Sequence, residues 1–400
     1  MDKFKQHLDW LDSRYTHSLE LLQLWCSINS FSSNVEGLDA IALALQKEFS
    51  TLGGEQKWIT LPPRIDIGPG GKAKEMASVK ALHITKRPNA PIRFLLAGHM
   101  DTVYSPLSSF QKVEKIDEGS WKGPGVADMK GGLIIMLNAL SGLEKSPFAE
   151  KIGWELLINP DEEVGSVGSA YLFEEAAKRN HAGLIFEPSF SDGAFVSARK
   201  GSASYTIIAR GKAAHSGRDF FQGKSAIYAL SQFIAELEKT NHPESGFIVN
   251  VGYIEGGGPV NIVPDFALCK VNIRSTKDDK IKNFIHTLNQ IATLTQQREG
   301  IKIELHQNTE RLPKPLDKKT GLLFDHLKEC ANELKIPFQL RESGGVCDGN
   351  ILSHAGLPTI DSLGAIGGQI HTHDEFILLS SLVERAKLTL LFMLTAQEKL

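Results

Sequence analysis

Cysteine is scarce in this 400-residue chain. The four present, Cys26, Cys269, Cys330 and Cys347, are scattered without a Cys-x-x-Cys spacing, which excludes a thiolate zinc site and a disulfide framework and suits a reducing compartment. Long hydrophobic runs are missing too: no stretch reaches the roughly 20 apolar residues of a membrane-spanning helix. The opening MDKFKQHLDWLDSRYTHSLELLQLW alternates charged and apolar residues and lacks the apolar run and small-residue cleavage site of a signal peptide. Neither sign of charge is in excess, because 44 Lys+Arg against 47 Asp+Glu leave a formal −3, which gives no surface for a polyanion. The expectation is a cytoplasmic protein with no nucleic-acid partner and no membrane partner. No internal repeat or low-complexity tract is visible.

What is present is an ordinary globular composition, 42% hydrophobic and 23% charged, in a chain longer than one core usually organises, so about two domains are expected. Two amphipathic helical patterns open the chain, the second ending at Gly53 and Gly54. Short apolar strands at 92–98, 154–159 and 184–187 then alternate with helical patterns at 131–145 and 166–180, which predicts an α/β layered domain with a mainly parallel sheet. From Arg199 the texture changes. Residues 202–307 spell β-α-β-β-α-β, the split motif of ferredoxin-like α+β domains, and after RLPKPLDKKTG the α/β texture returns, with a Gly-rich loop at SGGVCDGN and a closing helix over 381–400. The first domain is therefore expected to be discontinuous, 1–198 and 310–400, with an inserted module at 199–309.

Chemistry-bearing residues gather at the ends of the expected strands. GHMDTV places His99 at the carboxyl end of a strand, where open α/β sheets build their sites, with Asp101 two residues on to orient a metal-bound imidazole. GPGVADMKGG sets Asp128 before a helix among glycines, as a ligand or as a helix cap. NPDEEVGS carries Glu162 and Glu163 in an acidic turn, LIFEP closes a strand on Glu187, and GGQIHTHDEF offers His371 and His373. Two histidines and three carboxylates exceed the needs of one ion and suit two that share a carboxylate. Asp128, Glu163 and Glu187 bring three negative charges against four positive. Oxygen and nitrogen donors favour zinc, with cobalt or manganese as substitutes. The pattern reads as a two-metal hydrolase, with Glu162 free to move protons.

Taken together, GHMDTV, GPGVADMKGG, DEEVGS, FEP and the H-[ST]-x-x-E signature at 371–375 resemble, in order and over nearly the whole chain, one metallopeptidase superfamily. Its members include glutamate carboxypeptidase, aminoacylase, acetylornithine deacetylase and succinyl-diaminopimelate desuccinylase, and the resemblance is closest to the glutamate carboxypeptidase-like branch. It implies two Zn2+ per chain, one held by His99 and Glu187, the other by Glu163 and His371, with Asp128 bridging. It further implies Glu162 as the general base of a metal-activated water, Asp101 as the orienter of His99, and His373 as a variable position. The inserted module would be a lid and dimerisation domain, whose His215 reaches the partner subunit's site in a homodimer. Asn261 and Arg274 would contact a substrate carboxylate. The expected activity is hydrolysis of an amide beside a carboxylate-bearing amino acid in a small peptide; the alternatives are deacylation of an N-acyl amino acid and a non-catalytic binding relative, against which the retained Glu162 argues.

Overall fold

The computed structural model describes residues 2–241, 244 and 246–396. Its centre is a six-stranded sheet in the spatial order Glu55–Thr60, Lys80–Lys86, Ile152–Asn159, Ile92–His99, Ala182–Ile185, Thr359–Ile360. The last four strands run parallel and the first two join antiparallel, so the sheet is mainly parallel as the alternation of elements predicts. Every residue of Ile152–Asn159 is buried, which explains its unbroken apolar texture. Strand periodicity divides the neighbouring strand between two cores. Phe94 and Leu96 pack with the large cluster that includes helices Lys130–Glu144 and Ser381–Thr395, whereas Leu95 and Ala97 pack with Phe173, Ala176 and Leu352 on the other face. Each leucine or phenylalanine among these, fully buried, contributes roughly 1.5–3 kcal/mol.

Several boundaries differ from the sequence reading. The strand expected at 184–187 is Ala182–Ile185, so Glu187 lies just beyond the strand rather than closing it. The helix expected over 166–180 is only Ala170–Ala177, because the Asp161 carboxylate accepts the N–H groups of Gly168 (2.9 Å) and Ser169 (3.2 Å) and holds the preceding residues in a turn. The Gly-rich loop expected at 343–350 already contains the start of helix Asp348–His354. The closing helix is Ser381–Thr395, and residues 397–400, like Met1, lie outside the described residues. The two antiparallel strands come from the N-terminal segment, where the sequence shows no motif.

Residues 201–311 form the β-α-β-β-α-β unit, with strands Gly201–Arg210, Ile248–Gly256, Phe266–Ser275 and Lys302–Arg311 and helices Ala226–Glu238 and Asp278–Glu299. Its four-stranded antiparallel sheet has Ile248–Gly256 and Lys302–Arg311 at the edges, and a hydrophobic cluster of its own includes Phe233, Phe284 and Leu288. Where the chain enters and leaves this module, Arg199 and Lys314 exchange backbone hydrogen bonds of 2.9 and 3.0 Å. A hairpin, Ile65–Ile67 with Ala73–Glu75, also reaches across: Ile67 packs on Ile208 and Leu268, and the Gly70 N–H donates to Glu255 at 2.9 Å. Among the described residues no helix is long and apolar enough to cross a membrane.

Candidate metal centre

The carboxyl ends of the parallel strands bring the expected residues together. Strand register sets His99 opposite Asn159, and the Met100 N–H donates to the Asn159 carbonyl at 2.8 Å, so the turns after both strands lie side by side. The segment after Ile185 is pinched against its neighbours. A Cβ on Gly132 would stand 2.0 Å from the Phe186 carbonyl oxygen, and one on Gly364 2.1 Å from it, so only glycine allows helix Lys130–Glu144, which follows Asp128, and the 361–364 turn to approach the segment before Glu187 this closely.

Asp128 sits between two imidazoles. Its Oδ1 is 3.1 Å from His99 Nε2 and its Oδ2 is 3.4 Å from His371 Nε2. His99 Nε2 also lies 3.7 Å from Glu187 Oε1, and His371 Nε2 lies 3.2 Å from Glu163 Oε2. Asp128 is not a helix cap, since the cap position falls on Met129 and has no side-chain hydrogen bond. Ligand atoms of His99, Asp128 and Glu163 lie within 4.8 Å of one another, as do those of His99, Glu162 and Glu187. His371 adopts a left-handed backbone conformation (φ 62°), a strain that non-glycine residues accept where surrounding contacts fix them. Its side chain is 52% exposed while the other ligand candidates are 10% or less, so the centre opens to solvent on the His371 side. His373 is turned away, stacked on Phe110 at 5.4 Å and hydrogen-bonded to Ser108 at 3.1 Å.

The electrostatics are those of a cluster short of positive charge. Burial and the charge of Asp128 push the Glu163 carboxyl up to about 8, and the same two causes raise Glu187. Hydrogen bonds to Asp128 and Glu163 lift His371 to about 11; burial opposes protonation of His99, but its bonds to Asp101 and Asp128 outweigh this and raise it. Buried carboxylates that gather protons in this way suit divalent cations, and a set of imidazole nitrogens and carboxylate oxygens matches the donors that zinc, cobalt and manganese accept.

Around the cluster stand residues that sequence reasoning missed. Glu375 is fully buried and accepts hydrogen bonds from the N–H groups of Gly125 (3.1 Å), Ala127 (2.9 Å) and Asp128 (3.0 Å), and from the Tyr104 hydroxyl (2.7 Å). It closes the H-[ST]-x-x-E signature, and that position was its only signal. Arg311 donates to Glu162 Oε1 at 2.6 Å and gave no signal inside a turn-forming stretch. The Asp101 expectation changes in detail: His99 Nδ1 is nearest the Asp101 carbonyl oxygen (3.0 Å), with the carboxylate at 3.4 Å.

The remaining expected residues stand apart from the cluster. His215 and Asn261 are neighbours in the second module, where Ser216 N–H donates to the Asn261 carbonyl at 2.9 Å and the His215 ring accepts from Gly217 N–H at 3.1 Å. Arg274 donates to Asn272 at 2.9 Å and to the Gly344 carbonyl at 3.1 Å. Beside Glu187 a cavity of about 320 Å³ opens between Phe190, Val196, Arg199 and Ile370.

The sequence profile of Peptidase family M20/M25/M40 matches residues 95–395. The chain belongs to this family. Among curated relatives it is similar to carboxypeptidase G2 of Pseudomonas sp. (strain RS-16), 27% identical over 300 residues that cover 73% of this chain and 71% of the relative. It is also similar to a probable succinyl-diaminopimelate desuccinylase of Staphylococcus epidermidis, 29% identical over 226 residues that cover 47% of this chain and 55% of the relative. Among solved structures, the di-peptidase Dug1p of Saccharomyces cerevisiae shares the fold, with a TM-score of 0.78 at 16% identity over 100% of this chain and 99% of that one. This M20 chain is thus a family peptidase or hydrolase, and its site geometry bears on which bond it breaks.

Proposed function

We propose that this M20 protein hydrolyses an amide bond next to a carboxylate-bearing amino acid, using two divalent ions, zinc by preference, held by His99 and Glu187 on one side and Glu163 and His371 on the other, with Asp128 shared. The observation that carries the reading is the placement of Asp128, whose two oxygens face two different imidazoles. When bound, such ions polarise an amide carbonyl and acidify water. Glu162, with its carboxylate near His99 and Glu187, takes the proton of the attacking water and returns it to the leaving amine. Asp101 holds the turn that carries this base, accepting the N–H groups of Glu162 (3.2 Å) and Glu163 (3.1 Å).

In this reading residues 199–309 form the lid and dimerisation domain, and 1–198 with 310–400 form the catalytic domain. Arg274 and Asn261 grip the substrate carboxylate, Arg274 through the paired donors of its guanidinium. His215 serves the partner subunit's site and polarises the scissile carbonyl. A homodimer is supported by the apolar side chains left exposed on the lid, among them Ile227 and Tyr228 on its first helix and Tyr253 and Ile254 on the edge strand Ile248–Gly256. We place the enzyme in the cytoplasm. The similarity to a desuccinylase supports a second substrate class, an N-acyl amino acid bearing the same carboxylate.

The test is hydrolysis of a panel of peptides with C-terminal glutamate and of N-acyl amino acids, before and after chelation, by the native protein and by Glu162→Gln. The expected outcome is about two metal equivalents in both proteins, turnover only in the native one, and loss of that turnover on chelation. Undiminished cleavage after metal removal, or native rates in Glu162→Gln, sinks the reading.

A further inference from the structure

The Glu162 carboxylate does not stand free beside the cluster. Arg311, the last residue of strand Lys302–Arg311, donates from Nη1 to Glu162 Oε1 at 2.6 Å, and from Nη2 to the Ser166 hydroxyl at 2.6 Å and Asp348 Oδ1 at 3.1 Å. Ser166 in turn donates to Asp348 Oδ1 at 2.5 Å, which closes a ring of contacts around the guanidinium. Arg311 is 6% exposed, Glu162 9% and Asp348 3%, so none of these groups is averaged away by solvent. The network joins the second module's edge strand, the acidic turn and the start of helix Asp348–His354.

We infer that Arg311 is the positioning residue of the general base: it fixes the Glu162 carboxylate against the metal cluster, and Ser166 and Asp348 fix Arg311. The inference rests on the reading of Glu162 as the base. A glutamate side chain has several rotatable bonds, and freezing a rotamer-rich side chain costs up to about 2 kcal/mol. Here, moreover, the carboxylate lies within ligand distance of His99 and Glu187 and must not be drawn onto an ion if it is to take a proton. A guanidinium opposes both tendencies, because its planar fork spans Glu162 and Asp348 at once, which a lysine ammonium does not reproduce. The fork comes from the second module, so movement of that module against the sheet acts directly on the base.

The test uses the full-length, metal-loaded protein and the best substrate from the panel. Arg311→Ala should lower kcat about 100-fold, the scale of a misplaced catalytic group, with KM within about threefold of native, since an interaction used only in the transition state is lost. Arg311 borders a cavity of about 570 Å³ that Glu174, Lys282 and His354 also line, so a small cation has access to the vacated space. Millimolar guanidinium should accordingly restore kcat several-fold to Arg311→Ala while leaving the native enzyme unchanged. Ser166→Ala and Asp348→Asn keep the Arg311–Glu162 pair but loosen its anchor, and should each lower kcat about tenfold at unchanged KM.

A raised KM with native kcat in Arg311→Ala overturns the inference in favour of a grip on substrate. Loss of kcat without guanidinium rescue, accompanied by a lowered melting temperature, overturns it in favour of a structural role. Should Arg311→Ala fail to fold, the kcat and KM of Ser166→Ala and Asp348→Asn decide, and native values in both refute the inference. Glu162→Gln separates the two levels: if it turns over at the native rate the base reading itself is wrong, whereas an inactive Glu162→Gln beside a fully active Arg311→Ala removes only the role of Arg311.

Discussion

Glu375→Gln isolates the residue that shapes the Asp128 loop without touching a proposed ligand. The native carboxylate offers only acceptors, and it meets four donors: three loop N–H groups from Gly125, Ala127 and Asp128, and the Tyr104 hydroxyl. Glutamine keeps the shape but presents one oxygen and one NH2. With its oxygen toward Ala127 and Asp128, the NH2 faces the Gly125 N–H, donor against donor. An unsatisfied buried donor costs about 1–3 kcal/mol, and weakening the two retained bonds from charged to neutral acceptors adds about 1 kcal/mol. Burying a neutral amide in place of a charge offsets part of this, leaving a net loss of roughly 1–3 kcal/mol. At roughly 2 cal/mol/K of unfolding entropy per residue, a chain this long should melt some 1–4 °C lower. Asp128, its N–H now held by a weaker neutral acceptor in a loop that has lost its Gly125 bond, should hold metal about 10-fold less tightly, the lower end of the usual effect of disturbing a supporting hydrogen bond. Scanning calorimetry and zinc titration against a competing chelator measure the two effects. A variant that melts with the native protein and binds zinc equally well refutes this role for Glu375.

Glu155 lies midway along strand Ile152–Asn159, opposite Leu95, and carries a pH signature. Burial raises its carboxyl, but hydrogen bonds from His83 (2.8 Å), Arg179 (2.6 Å) and Asn180 (2.8 Å) prevail and bring it down from 4.5 to about 2. A carboxylate depressed in the folded state stabilises fully above its unfolded value and loses that contribution as pH falls toward the folded one. Glu155→Gln should therefore be less stable than the native protein by roughly 2–3 kcal/mol at neutral pH, with the gap closing between pH ~4.5 and ~2; a gap that stays constant over this window in urea titrations contradicts the assignment. To test the proposed dimer, Ile254→Lys places a charge on an exposed apolar position of the second module's edge strand. Sedimentation should show the variant at the 43.9 kDa of one chain, the native protein at twice that, and activity should fall about 100-fold or more as His215 loses its reach. Full activity in a monomeric variant refutes the shared site.

Legibility in the sequence followed physical range. Strands such as Ile152–Asn159 announce themselves because burial on both faces demands a continuous apolar run, and a candidate ligand such as His99 or Glu187 is tied to such a run by no more than two residues. The β-α-β-β-α-β order of the second module was legible for the same reason, each element carrying its own period. Glu55–Thr60 was not, since its alternating, half-exposed pattern at the sheet margin looks like any polar segment. Arg311 and Asp348 were equally hidden, because their meaning lies in contacts across 149 and 37 residues of chain that leave no local periodicity behind.

Asp101 shows how a correct spacing can carry a different physical reason. The His-x-Asp pattern suggests a carboxylate held to the imidazole, yet the carbonyl oxygen of Asp101 is the nearer partner of His99 Nδ1. Donation from Nδ1 to that carbonyl turns Nε2 toward Asp128, 3.1 Å away. The carboxylate is thereby released for other work: it accepts the Ser32 hydroxyl at 2.7 Å and the N–H groups of Glu162 and Glu163. One residue thus orients the His99 ring with its backbone and the acidic turn with its side chain. The aspartate two residues after the histidine is required less by the imidazole than by the turn beside it, whose Glu162 and Glu163 face the same cluster.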